Sequence, residues 1–225
     1  DKQLQECIER MTEHMSSQTL MQINEDKYKL IRDGIPVTRV KPNGETEEVK
    51  AKVIGFSQED RNYNEFLCVR EMWVYGPLYH RRADIVGFVN GIPLLFMELK
   101  NHDVEVVDAF NQNYRDYLDT IPQLFYHNAF IMFSNGLEAR VGTIDSKWEF
   151  FHEWKRLAEE DQGSVALESM LRGICKKENF LDLFENFILY DHSGGHTAKI
   201  LARNHQYLGV NEAMKAYAAR KLNDG

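Results

Sequence analysis

Three charged residues, Asp84, Glu98 and Lys100, stand in an otherwise apolar stretch. It reads Arg81-Arg82-Ala83-Asp84-Ile85-Val86-Gly87-Phe88-Val89-Asn90-Gly91-Ile92-Pro93-Leu94-Leu95-Phe96-Met97-Glu98-Leu99-Lys100-Asn101. Two apolar runs flank Asn-Gly, the dipeptide favoured in a tight β-hairpin turn. Strands this apolar are buried on both faces, and buried charge is costly unless it is partnered. Two carboxylates beside one lysine can be satisfied by a hard divalent cation. Mg²⁺ takes oxygen ligands in near-octahedral geometry, commonly one or two carboxylates with phosphate and water. Asp84 and Glu98 would supply such oxygens, and the backbone carbonyl of Leu99 another. Lys100, two residues beyond Glu98, shares its strand face. Its ammonium is suited to orienting or helping deprotonate a water, or to stabilising charge that grows on phosphate. The metal would lower the pKa of that water and clamp the phosphate. The competing reading is an ion pair, Glu98 with Lys100, at the end of an ordinary hairpin.

Parity tests the metal reading. With a regular two-residue turn at Asn90-Gly91, Val89 faces Ile92 and Asp84 faces Met97. Asp84 and Glu98 would then lie on opposite sides of the sheet, because opposed residues share a face and neighbours alternate. Two carboxylates so placed cannot hold one ion at about 2.0–2.1 Å. A metal site therefore requires the register to slip by one, through a three-residue loop or a bulge between Asp84 and Val89.

The elements that must position this hairpin follow from periodicity. Residues 3–16 read as a helix with Leu4, Cys7, Ile8, Met11 and Met15 on one stripe and Glu6, Glu9 and Glu13 opposite. Residues 35–40 and 48–56 read as a hairpin and residues 65–75 as a long strand stopped by Gly76-Pro77. These strands are expected to join the central hairpin in one mixed sheet. Val107, Phe110, Tyr114 and Leu118 mark a helix over residues 104–118. It leads to a strand at 129–133, giving a strand–helix–strand crossover, and residues 137–143 form a further short strand. Residues 159–163 read as a linker. Residues 164–173 and 179–187 read as short helices, the first capped by Ser164 and ended by Gly173. Residues 187–190 read as extended, and residues 199–220 as a helix. His192 and His196, in a Gly-rich loop, are read as loop residues rather than metal ligands.

Length and charge bound the function. The chain has 225 residues, 43% hydrophobic, enough for one large domain or one domain with an appendage. No run approaches the ~20 apolar residues of a membrane span. It begins at Asp1 without Met, shows no signal peptide, and is read as a piece of a larger protein. Cys7, Cys68 and Cys175 are scattered and odd in number, which suits a reducing cytoplasm. The net charge of −8 is discordant with a chain that tracks DNA unaided. Arg81, Arg82 and Lys100 are local exceptions beside the candidate site.

The stretch Arg81-Arg82-x-Asp84…Asn90-Gly91-Ile92-Pro93-Leu94…Glu98-Leu99-Lys100-Asn101 resembles the N-terminal nuclease region of the restriction (R) subunit of type I restriction–modification enzymes, within the PD-(D/E)xK nuclease superfamily. The family's Pro-Asp is Ala83-Asp84 here. The resemblance runs from about residue 64 to residue 154. It implies an α/β fold with a mixed central sheet flanked by helices and a C-terminal helical segment. Residues 1–157 would be the nuclease domain, and 158–225 a helical linker and the incomplete start of an ATP-dependent motor.

The resemblance further implies a Mg²⁺-dependent endonuclease that hydrolyses DNA phosphodiester bonds. Asp84, Glu98 and Lys100 would be catalytic, with metal held by Asp84, Glu98 and the Leu99 carbonyl. A Gln-x-x-x-Tyr motif in the family's crossover helix helps position DNA. Here Tyr117 matches it, Gln112 lies five residues before rather than four, and Asn113 and Tyr117 are the pair that share a helix face. Gln206, in Ala202-Arg203-Asn204-His205-Gln206-Tyr207, matches a glutamine that contacts the adenine of ATP in the full subunit. No Gly-x-x-x-x-Gly-Lys-[Ser/Thr] phosphate loop occurs in the chain. The partners implied are double-stranded DNA and the methyltransferase and specificity subunits of the same complex, in the cytoplasm. Two rivals are another nuclease of this fold, such as a repair nuclease or junction resolvase, and a non-catalytic nuclease-fold interaction module.

Overall fold

The computed structural model describes residues 2–158, 161 and 166–223. Two helices lead the chain, α1 (Lys2–Thr12) and α2 (Leu20–Asp33), followed by a hairpin of β1 (Ile35–Val40) and β2 (Thr46–Ala51). Sequence reading did not anticipate α2. Its start is a capping box, in which the Thr19 side chain accepts from the Gln22 N–H and Gln22 reaches back to the Thr19 N–H.

Contrary to the expectation of one mixed sheet, the hairpin β1–β2 forms a two-stranded sheet of its own and does not join the central one. The central sheet has five strands in the order β3 (Phe66–Tyr75), β4 (His80–Val89), β5 (Ile92–Leu99), β6 (Phe130–Ser134), β7 (Ala139–Gly142). Its pairs are antiparallel except β5 with β6, which run parallel across the crossover. The crossover comprises α3 (Val106–Asp108), a π-helical stretch Ala109–Tyr114, and α4 (Arg115–Thr120).

Both faces of the sheet are covered, which explains the near-continuous apolar runs of β5 and β6. On one face Phe96, Ile131 and Phe133 pack against Phe110, Tyr114 and Tyr117 of the crossover and against Phe125. On the other, Leu95, Met97, Phe130 and Met132 pack against α2 and two later helices, α5 (Ala166–Ile174) and α6 (Lys177–Asn186). Gly173 lies within α5 rather than ending it. A Cβ there would meet the buried Trp154 indole at 2.1 Å, so the helix and the sheet domain close on each other at a glycine. The cap expected at Ser164 lies outside the described residues.

The chain ends in a second small hairpin, β8 (Ile188–Asp191) and β9 (Ala198–Leu201), and a long helix α7 (Asn204–Asn223). Residues 199–201, read from composition as helix, are strand instead. Pairing with β8 turns Lys199 and Leu201 inward and leaves Ile200 exposed. The Lys199 ammonium, fully enclosed, donates to Asn24 Oδ1 at 2.9 Å and to the Asn128 carbonyl at 2.6 Å. Burial pulls its pKa down to about 7. Residues on both sides of position 158 thus share one core. Among the described residues no helix is long and apolar enough to cross a membrane, and Cys7, Cys68 and Cys175 are free thiols.

Candidate active site

The hairpin turn is the tight two-residue form. Asn90 and Gly91 take φ of 51° and 78°, as a twisted Asn-Gly turn requires. Pairing proceeds from Val89↔Ile92 to Phe88↔Pro93 and then jumps to Gly87↔Leu95. Leu94 is the extra residue of a β-bulge, and Leu94 and Leu95, adjacent in sequence, consequently pack in the same core cluster. Gly87 makes the slip sterically feasible, since even a Cβ there would lie 3.0 Å from Leu95 Cβ. Beyond the bulge Ile85 pairs with Met97, which sets Asp84 across from Glu98. The register slip that a metal site demands is present.

A second irregularity lies beside it. Register places Glu71 of β3 opposite Asp84, and Glu71 has φ of 51°, rare for a residue other than glycine. Ala83 and Val86, three apart, both pack under the crossover helix, so the alternation of β4 slips between them. The strand is bent where Asp84 sits, as strands commonly are at functional sites.

The side chains then converge. Asp84 Oδ2 accepts the Leu99 N–H at 2.8 Å, tying the first carboxylate to the strand that carries the second. Glu98 is 3% exposed, and its Oε2 has no hydrogen-bond partner. Burial, and then the neighbouring Asp84 carboxylate, push its pKa up to about 8, against the opposing influence of Lys100. Lys100 donates its ammonium to Asn113 Oδ1 at 2.5 Å, so it does not cap the orphan oxygen of Glu98. Tyr117, also buried, donates to the Arg82 carbonyl at 2.9 Å. Burial, followed by the charge of Glu98, raises its phenol to about 12. Arg81 makes a two-pronged ion pair with Asp116 of α4, one arm at 2.9 Å.

The structure thus brings Asp84, Glu98, Leu99, Lys100 and Tyr117 together. Gln112 is exposed on the crossover, and Asn113 is the residue that reaches Lys100. The spacing of Asn113 and Tyr117, four apart, was the available signal for it. Gln206 lies far along the chain on α7, where its Oε1 accepts the Arg203 N–H at 2.8 Å as a helix cap. Of the acidic residues on α1, Glu6 accepts from the Thr38 N–H and Glu9 from Gln5. Among the described residues no group of three or more His, Cys, Asp or Glu side chains is arranged to hold a metal. The donor set is therefore two carboxylates and backbone. It still fits a hard cation, because a buried carboxylate oxygen lacks a partner and two carboxylates crowd each other. Positive charge would remedy both.

A five-stranded mixed sheet with this crossover, and acidic residues meeting at its central hairpin, define a restriction-endonuclease-like α/β fold. The model of the type I restriction enzyme R protein N terminus matches residues 1–150, and the chain belongs to that family. It is 35% identical over 201 residues to the type I restriction enzyme HindI endonuclease subunit of Haemophilus influenzae, covering 85% of this chain and 19% of that protein. A type I restriction enzyme endonuclease subunit of Staphylococcus aureus is 36% identical over 115 residues, 51% of this chain and 12% of its own length. The chain therefore spans about a fifth or less of the curated relatives it matches.

Proposed function

We propose that this chain is the DNA-cleaving domain of a type I restriction endonuclease subunit, and that it hydrolyses phosphodiester bonds with Mg²⁺. The observation that carries this reading is the meeting of Asp84 with a buried, half-unpartnered Glu98 beside Lys100. Asp84, Glu98 and the Leu99 carbonyl would hold the metal, which supplies Lewis-acid stabilisation of the phosphate and an acidified water. Lys100, fixed by Asn113, is placed to orient that water or to stabilise charge on the phosphate. Tyr117, buried with its hydroxyl on the Arg82 carbonyl, would act by holding the β4 backbone beside Asp84. In the full subunit a separate ATP-driven motor would deliver the DNA, with Gln206 near its start, and methyltransferase and specificity subunits of a cytoplasmic complex would choose the target.

The relatives named as endonuclease subunits support this reading over a repair nuclease or a scaffold. The test is cleavage by the parent enzyme. Glu98→Ala and Lys100→Ala should abolish cutting while the fold persists, and wild-type rates in either would overturn the assignment. Binding of Mn²⁺ by wild type that vanishes in Asp84→Ala excludes the non-catalytic module.

A further inference from the structure

The ladder between β4 and β5 ends at Ile85↔Met97, so residues 80–84 of β4 have only β3 as a paired neighbour. The same segment is bent at its inner end. Glu71, opposite Asp84, has φ of 51°, and the alternation of β4 slips between Ala83 and Val86. Asp84 reaches the second strand through its own side chain, which accepts the Leu99 N–H at 2.8 Å. The β4–β5 ladder therefore does not fix where this carboxylate stands relative to Glu98.

The crossover grips the segment instead. Arg81, three residues before Asp84, makes a two-pronged ion pair with Asp116 of α4, with Nη2 to Oδ1 at 2.9 Å. Its Nη1 donates to the His80 carbonyl at 3.0 Å, and the guanidinium lies over the Tyr79 ring at 5.2 Å. A planar fork held by its own backbone and by a ring has little freedom left to lose on pairing. The pair spans 35 residues of chain. By contrast, Glu6–Arg10, Glu25–Lys29 and Glu168–Arg172 each lie within one helical turn. A pair inside a helix steadies that helix alone, whereas this one fixes a strand against the crossover. Asp116 also lies between the crossover residues that serve the site. It follows Asn113, which takes the Lys100 ammonium at 2.5 Å, by three positions. It precedes Tyr117, which donates to the Arg82 carbonyl at 2.9 Å, by one.

We propose that Arg81 and Asp116 are positioning residues that hold Asp84 on the Leu99 amide, opposite Glu98. Magnitude separates this role from a merely structural one. An ion pair whose side chains are 28% and 41% exposed adds little to stability. Outer residues that orient metal ligands, when removed, cost roughly 10–100-fold in metal affinity. The consequence for metal rests on the nuclease reading, and the placement of Asp84 does not.

Two measurements on the 225-residue chain test the pair: Mn²⁺ affinity by titration, and hydrogen exchange of the Leu99 amide in EDTA, followed by NMR. Arg81→Met keeps the apolar stem, and Asp116→Asn keeps the shape. Each should weaken Mn²⁺ binding about tenfold and speed Leu99 exchange about as much relative to the other β5 amides. The thermal midpoint should stay within a few degrees of wild type. The double variant should do no more than either single one, because both break one contact. Arg140→Met, which removes a comparably exposed pair with Glu138 on β7, should change neither measurement. Wild-type exchange at Leu99 in both single variants would overturn the positioning role. So would effects that add in the double variant, faster exchange shared by all of β5, or unchanged Mn²⁺ affinity where wild type binds the ion. If wild type binds no Mn²⁺ while Leu99 exchange still rises in both variants, the positioning role stands and the nuclease reading falls.

Discussion

Burial and a neighbouring carboxylate push Glu98 in the same direction, and the consequence is a measurable pH dependence. In the folded chain Glu98 stays protonated to about pH 8, whereas the ordinary value of its unfolded form is 4.5. Between those values the unfolded state binds fewer protons than the folded one, so stability falls as pH rises through that window. Glu98→Gln keeps the neutral shape and removes the penalty. In EDTA it should unfold like wild type below about pH 4.5 and be more stable at pH 9 by up to a few kcal/mol, at about 1.4 kcal/mol per pKa unit. Denaturant melts at the two pH values check this, and Mg²⁺ should raise the wild-type midpoint but not that of the variant. Asp84, Glu98 and Lys100 were legible in the sequence because charges stand out in apolar strands. Asn113 was visible only as a helix-face neighbour of Tyr117, since its partner Lys100 lies on another element.

At the scale of elements, parity required the β4–β5 register to slip by one only on the premise that Asp84 and Glu98 share a site, and it left a three-residue loop and a bulge as equal means. The structure keeps the two-residue turn and uses the bulge. The location of the bulge at Leu94 was not derivable, because it depends on Gly87 leaving room for Leu95. Helix α2 escaped notice because its buried face carries Asn24, Glu25 and Lys27 among apolar residues, which blurs the helical period. The strand β9 was hidden by helix-favouring composition, which pairing with β8 overrides. The π-helical stretch of the crossover could not be read at all, since it is the packing of Phe110 and Tyr114 that sets its wider turn. Such turns gather at functional sites, and this one carries Asn113 to Lys100. Asn113→Ala should therefore slow cleavage by the parent enzyme by up to about a hundredfold, with the thermal midpoint nearly unchanged. A normal rate would reduce Asn113 to packing.

For the whole molecule, the decisive feature is that the two faces of the sheet are covered by distant parts of the chain. Sequence reading divided the chain near residue 157, where composition turns polar. Yet Met170, Ile174, Phe180 and Phe184 pack on Leu95, Phe130 and Met132. A chain stopped at residue 157 should expose that face, bind a hydrophobic dye and aggregate, while the full 225 residues stay monodisperse. Dye fluorescence and light scattering decide it. The sequence also holds no Gly-x-x-x-x-Gly-Lys-[Ser/Thr] run. It should show no DNA-stimulated ATP turnover, and turnover by the purified chain would remove the reading of α7 as a mere lead-in.

The amide of Asn24 and the ammonium of Lys199 meet across 175 residues of chain. At about 5–20 residues per second on the ribosome, the first waits roughly ten to thirty-five seconds for the second to be made. During that interval the hairpin of Asp84 and Glu98 has already emerged, with one side of its sheet bare. The nascent sheet thus keeps one apolar face open until the helices α5 and α6 and the strand bearing Lys199 have been made.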